Sequence, residues 1–101
     1  MMTLDSIADL ELTERLITQS LQDQPVQIWL FGSRAWGGSR RSSDIDVGIL
    51  PLSPLRPGSL TELQEELDRS PVLSRVELFD LSMVDPALRD KVMLKGIPWR
   101  T

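Results

Sequence analysis

No cysteine occurs among the 101 residues, which excludes a disulfide framework and fits a reducing cytoplasm. No run approaches the roughly 20 apolar residues that a helical membrane span requires. The opening MMTLDSIADLELTE is acidic and lacks the basic segment and apolar stretch of a secretory signal, so a cytoplasmic location is expected. Positive charge is also scarce: 11 Lys and Arg stand against 15 Asp and Glu, a net charge of −4. Phosphate contacts supply most nucleic-acid affinity, so stable binding of DNA or RNA is not expected from an acidic chain. The length suits a single domain, residues 1–101, with one modest core and no room for a separate substrate domain.

What is present reads as alternating helices and strands. Residues 3–21 carry Leu4, Ile7, Leu10, Ile17 and Leu21 at helical spacing, and Gln24-Pro25 breaks the pattern. VQIWLF (26–31) is β-branched and aromatic, a buried strand that runs into Gly32-Ser33. Residues 34–43 form a Gly-, Ser- and Arg-rich loop with room for one helical turn after Ser33. DIDVGIL (44–50) is a second strand, with Ile45, Val47 and Ile49 on one face and Asp44, Asp46 and Gly48 on the other. Ser59 and Glu62 have capping-box spacing ahead of a helix with Leu60, Leu63 and Leu67 as its stripe. SRVELFDL (74–81) is a third strand, with Val76 and Leu78 on one face and Arg75, Glu77 and Phe79 on the other. A last helix has Asp85 as N-cap, Pro86 at its first position, Leu88 and Val92 toward the core, and Gly96 as its stop. Together these predict an α/β (α+β) fold, a single small mixed sheet packed with helices.

The chemistry concentrates in Gly32-Ser33, ten intervening residues, then Asp44-Ile45-Asp46. Carboxylates at i and i+2 of a strand share a face, with Cα atoms roughly 6.5 Å apart. The apolar opposite face fixes the register, so the two repelling charges must stay together. A cation between them removes the repulsion, and paired Mg²⁺ ions bridged by carboxylates are a usual device for nucleotidyl transfer. Otherwise Asp44 and Asp46 are surface carboxylates on a solvated sheet face. The Gly-Ser turn lets backbone N–H groups approach a phosphate, and Ser33 adds a hydroxyl donor. Arg34, Arg40 and Arg41 offer charge to neutralise a triphosphate, unless they form an ordinary solvated loop. Ser43, beside the first aspartate, joins Gly32, Ser33, Arg34 and Arg41 in the candidate nucleotide-binding set. Glu77, facing away from the core as Asp44 and Asp46 do, is favoured over Asp80 as a third carboxylate able to bind metal and take the acceptor's proton. Trp36 and Trp99 have two readings, as partner contacts or as lids over the edge of a small core.

FGSRAWGGSRRSSDIDVGIL resembles the signature of the DNA polymerase β-like nucleotidyltransferases, and RVELFDLSMVDPALRDKVMLKGIPW resembles the minimal nucleotidyltransferase (MNT) subfamily. The resemblance covers about residues 26–99. It implies a palm-like nucleotidyltransferase core, with Gly32 and Ser33 holding nucleotide phosphates and Asp44, Asp46 and Glu77 as catalytic residues that bind Mg²⁺. Members more often carry aspartate at the third position, so Glu77 is a departure by one methylene. The resemblance also implies ATP as substrate and a HEPN-domain helical protein as partner, in a toxin–antitoxin pair. Neutralisation by adenylylating that partner and neutralisation by occluding it, without turnover, are the two readings. Association with copies of itself or with the partner is left open.

Overall fold

A computed structural model describes residues 4–36 and 44–101 of the chain. The chain order is α1 (Leu4–Ser20), β1 (Val26–Phe31), α2 (Ser33–Trp36), β2 (Ile45–Pro51), α3 (Ser59–Arg69), β3 (Val76–Asp80), α4 (Pro86–Lys95) and β4 (Ile97–Arg100). The four strands form one mixed sheet in the order β3-β2-β1-β4. β1 pairs antiparallel with β2 and with β4, whereas β2 and β3 run parallel. The expected small mixed sheet packed with helices is therefore the observed architecture.

Strand alternation splits the core between the two sheet faces. Ile28 and Leu30 of β1, Ile45, Val47 and Ile49 of β2, and Val76 of β3 pack against Ile17 and Leu21 at the α1 end and Leu63 and Leu67 of α3. Each such buried side chain contributes roughly 1.5–3 kcal/mol of transfer free energy. The other face carries a smaller cluster, Trp29 and Phe31 of β1 with Leu81 and Val92, to which Phe79, Trp36 and Leu88 add partial cover. Gly48 belongs to that face, and a Cβ there would lie 2.9 Å from Leu81 Cδ1, so its bare backbone lets Leu81 settle on the sheet. α4 covers only part of this face, because its buried residue is Val92 alone. The Asp44–Asp46 end of β2 stays more open than the apolar face behind it.

Three details depart from what the sequence suggested. Ile7 is exposed, and the buried row is instead Asp9, Thr13 and Ile17 of α1 with Leu21 just beyond its end; the side chain of Leu4 lies outside the described residues. The capping box at Ser59 does not form: Gly58 takes the N-cap position at φ 81°, and the Ser59 hydroxyl donates to the Arg56 carbonyl at 2.7 Å. Gln24 reaches across to this turn, accepting from Arg56 N at 2.9 Å and donating to Ser59 Oγ at 3.2 Å, which occupies the serine from outside the helix. The third difference is β4, where the sequence showed only a tail. Pro98 has no N–H to give a ladder, which an edge strand tolerates, and the register shifts between Ile28 and Trp29 opposite it. Gly96 ends α4 as expected, and a side chain there would meet the Val92 carbonyl at 2.5 Å and the Leu30 carbonyl at 3.0 Å. The Asp85 cap forms as expected, accepting from Ala87 N at 2.8 Å.

Candidate active site

β1 ends at Phe31, and the chain turns at once through Gly32, whose φ is +79°. Residues with a Cβ pay a steric cost in that left-handed region, so glycine is the natural occupant. Space imposes a second constraint, because a Cβ on Gly32 would overlap the Asp46 carboxylate oxygen Oδ2. The Gly32 carbonyl accepts from Ala35 N at 3.0 Å and Trp36 N at 2.9 Å, closing the single turn of α2 that starts at Ser33. Gly32, Ser33 and Arg34 thus leave the β1 end beside the DxD strand, as the sequence grouping required.

The carboxylates are brought together by pairing. Phe31 is the β1 partner of Asp46, and on the other side Asp46 stands opposite Glu77 of β3. Neighbouring strands lie about 4.8 Å apart, and in a parallel pair residues in register project to the same face. Asp44 lies just ahead of β2, whose first residue, Ile45, donates from its N–H to the Arg75 carbonyl at 2.8 Å. Burial first, then the facing Glu77, then Asp44, push the Asp46 carboxyl above its ordinary value. This is the signature of acidic groups held near one another in partial shelter, and carboxylate oxygens are the donors that a hard divalent cation takes. Glu77 itself is turned toward Arg75, with Oε1 3.2 Å from the guanidinium Nη2. Among the described residues, no three Asp or Glu side chains are drawn into a group that could hold a metal as they stand.

Asp80 is the rival candidate for the third carboxylate. It ends β3 opposite Ile49, beyond Glu77, and accepts from Ser82 N at 2.9 Å as the cap of the following turn. Arg34 donates from Nη2 to Ser74 Oγ at 2.9 Å, next to the start of β3. Arg40, Arg41 and Ser43 lie outside the described residues. Trp36 and Trp99 are both partly buried against the two core clusters, which favours their role as core lids. Trp36 also donates from Nε1 to the Lys95 carbonyl at 3.0 Å, and Lys91 Nζ sits 4.4 Å from its ring centroid. It thereby ties the glycine–serine turn to the end of α4. Two polar residues near the site, Asp9 and Ser74, were missed by the sequence reading, which counted only apolar positions on α1. Asp9 lies four and eight residues before Thr13 and Ile17, so its place on the buried row was open to view.

Residues 14–98 match the family Polymerase beta, Nucleotidyltransferase. The protein adenylyltransferase MntA of Shewanella oneidensis is 34% identical over 89 residues, which is 85% of this chain and 63% of that protein. A probable protein adenylyltransferase MntA of Haemophilus influenzae is 29% identical over 82 residues, 81% of this chain and 70% of that one. The chain therefore spans between three-fifths and three-quarters of the length of these relatives. Among solved structures, a toxin–antitoxin complex with AMP-PNP superposes with a TM-score of 0.66 at 32% identity, covering 85% of this chain and 71% of that one. A tri-AMPylated Shewanella oneidensis HEPN toxin in complex with its MNT antitoxin gives a TM-score of 0.61 at 29% identity, covering 88% and 70%. The glycine–serine turn, the paired aspartates and the strand that brings Glu77 beside them are thus set in a sheet of known kind: the chain belongs to the polymerase β nucleotidyltransferase family, on its MNT branch.

Proposed function

We propose that this chain transfers AMP from ATP to a HEPN-domain partner and so acts as the antitoxin of a toxin–antitoxin pair in the cytoplasm. The observation that carries the reading is the register that sets Glu77 opposite Asp46, with Asp44 two residues before it and Gly32 against the Asp46 carboxylate. The names of the relatives support AMP as the transferred group and a HEPN protein as acceptor. The acidic balance of the chain supports a protein acceptor over a nucleic acid.

Asp44, just ahead of β2, and Asp46 within it would hold two Mg²⁺ ions, with Glu77 as the third carboxylate. Such ions, when bound, supply charge neutralisation on the phosphates and Lewis acidity. Gly32 presents backbone and Ser33 a hydroxyl to the triphosphate, with Arg34, Arg41 and Ser43 completing the nucleotide-binding set. Glu77 accepts the proton of the attacking hydroxyl as its oxygen bonds to the α-phosphorus. The bond from that phosphorus to the bridging oxygen breaks, and pyrophosphate leaves. For this, Glu77 must give up Arg75 and turn toward Asp46, a rearrangement of an exposed ion pair of small cost.

The Arg75–Glu77 pair, with glutamate where members more often carry aspartate, favours the second reading, an occluding module without turnover. Incubation with α-³²P-ATP, Mg²⁺ and the HEPN partner separates them. Transfer of label to the partner, lost in Asp44→Ala, is the expected result. A partner that co-purifies and is neutralised but never labelled, with any of the four nucleotides, would replace the enzyme with the module.

A further inference from the structure

The chemistry assigned to the site leaves one built polar cluster unused. Asp9 of α1 is buried, and its carboxylate accepts from Leu73 N at 2.9 Å, Ser74 N at 2.8 Å and Ser74 Oγ at 2.8 Å. Ser74 Oγ accepts in turn from Arg34 Nη2 at 2.9 Å. Burial works to raise the Asp9 pKa, but the three donors and the charge of Arg34 outweigh it and hold the carboxyl below its ordinary value. An ionised Asp9 can only accept, so the Ser74 proton is directed to it and a serine lone pair is left to face Arg34. The orientation of the hydroxyl is fixed by the carboxylate behind it.

This chain of bonds meets the site at its base. Arg75, the neighbour of Ser74, accepts the N–H of Ile45, and Asp44 is the residue before Ile45. Arg34 itself is two residues beyond Gly32. The two backbone bonds from Leu73 and Ser74 are enough to fasten α1 to the turn ahead of β3. The hydroxyl link does something different: it restrains a long, flexible cation next to the candidate phosphate-binding turn. A side chain ordered before its ligand arrives loses less entropy on binding, and the gain appears as affinity.

We infer that Asp9, acting through Ser74, is a positioning residue that holds Arg34 for the phosphates of a nucleoside triphosphate. The inference rests on the nucleotidyltransferase reading of the same site. Asp9→Asn is the direct variant, but it disturbs the acceptors of two backbone N–H groups and puts folding at risk. Ser74→Ala cuts the link and leaves those two bonds in place. With a fluorescent N-methylanthraniloyl ATP and Mg²⁺, Ser74→Ala is expected to bind about tenfold more weakly than the parent protein. In the labelling reaction the loss falls on KM for ATP rather than on kcat, and Ser74→Thr restores it. Because serine acts through the arginine, Arg34→Ala combined with Ser74→Ala binds no more weakly than Arg34→Ala alone. Undiminished binding by Ser74→Ala, or losses that simply add, would overturn the inference while leaving the parent protein an ATP binder. A parent protein that binds no nucleotide would instead bring down the reading on which the inference stands, and the inference with it.

Discussion

Replacing Asp46 by asparagine should stabilise the protein while destroying its chemistry. Asp46 is the carboxylate with acidic neighbours on two sides, Glu77 in register on β3 and Asp44 two residues back along its own chain. Carboxylates on adjacent strands come within about 6 Å, where Coulomb's law gives roughly 0.7 kcal/mol of repulsion in water and roughly 3 kcal/mol at a surface-like dielectric of about 20. Asp46 is only partly buried, and solvent screening places the gain from Asn near the lower end, about 1 kcal/mol. For a domain of this size that is about 4–8 °C in Tm. The pH dependence follows from the direction of the shift. A carboxyl whose folded pKa lies above its ordinary 3.8 binds protons more readily when folded, so stability falls as pH rises from that value through the raised one. The advantage of Asp46→Asn is therefore complete above the raised pKa and absent below 3.8. Thermal melts of both proteins without divalent ions, at pH 7 and in acid, with and without 1 M NaCl, measure it directly. An Asn variant that melts at or below the parent at pH 7 would mean that the three carboxylates do not repel, and the argument for a cation among them would lose its footing.

Two further perturbations test the architecture around the carboxylates. Gly32→Ala forces a side chain into a left-handed turn and against Asp46, so a loss of about 1–2 kcal/mol in a denaturant melt is expected. Displacing the Asp46 carboxylate should also lower transfer on the order of 100-fold in the labelling assay; an alanine variant of full activity would show that the turn does not position the aspartate. Trp36→Phe keeps the contact with Phe31, whose centroid is 6.0 Å away, but removes the bond to the Lys95 carbonyl and weakens the Lys91 contact. A Tm lowered by a few degrees, for about 1 kcal/mol, is expected by circular dichroism, and no change would make the tie between the turn and α4 incidental.

The elements legible in the sequence share one property: their signals are local. Alternation of Ile45, Val47 and Ile49 with Asp44, Asp46 and Gly48 needs only the two-residue period of a strand, and the burial of the three aliphatic residues follows it. The same parity argument chose Glu77 over Asp80, and the parallel register sets Glu77 opposite Asp46 while Asp80 caps a turn. Asp85 caps its helix because an N-cap bond spans two residues. Where a distant group intervenes, local reading fails. Ser59 has the right spacing for a capping box, yet Gln24, 35 residues earlier, claims its hydroxyl. Ile97–Arg100 shows no strand pattern of its own and becomes β4 because β1 offers an open edge.

The sequence by itself determined the identity of the first three strands, the face on which Asp44 and Asp46 lie and the ten-residue spacing that sets them after Gly32-Ser33. Backbone periodicity and turn chemistry act over a few residues, and a chain carries that information wherever it folds. Only the tertiary structure decided that Glu77 stands beside Asp46, that Trp36 closes on α4 and that Asp9 is joined to Arg34 through Ser74. Those contacts join segments 31 to 65 residues apart, and their partners are selected by which faces of the sheet the helices cover rather than by any property of the residues read alone.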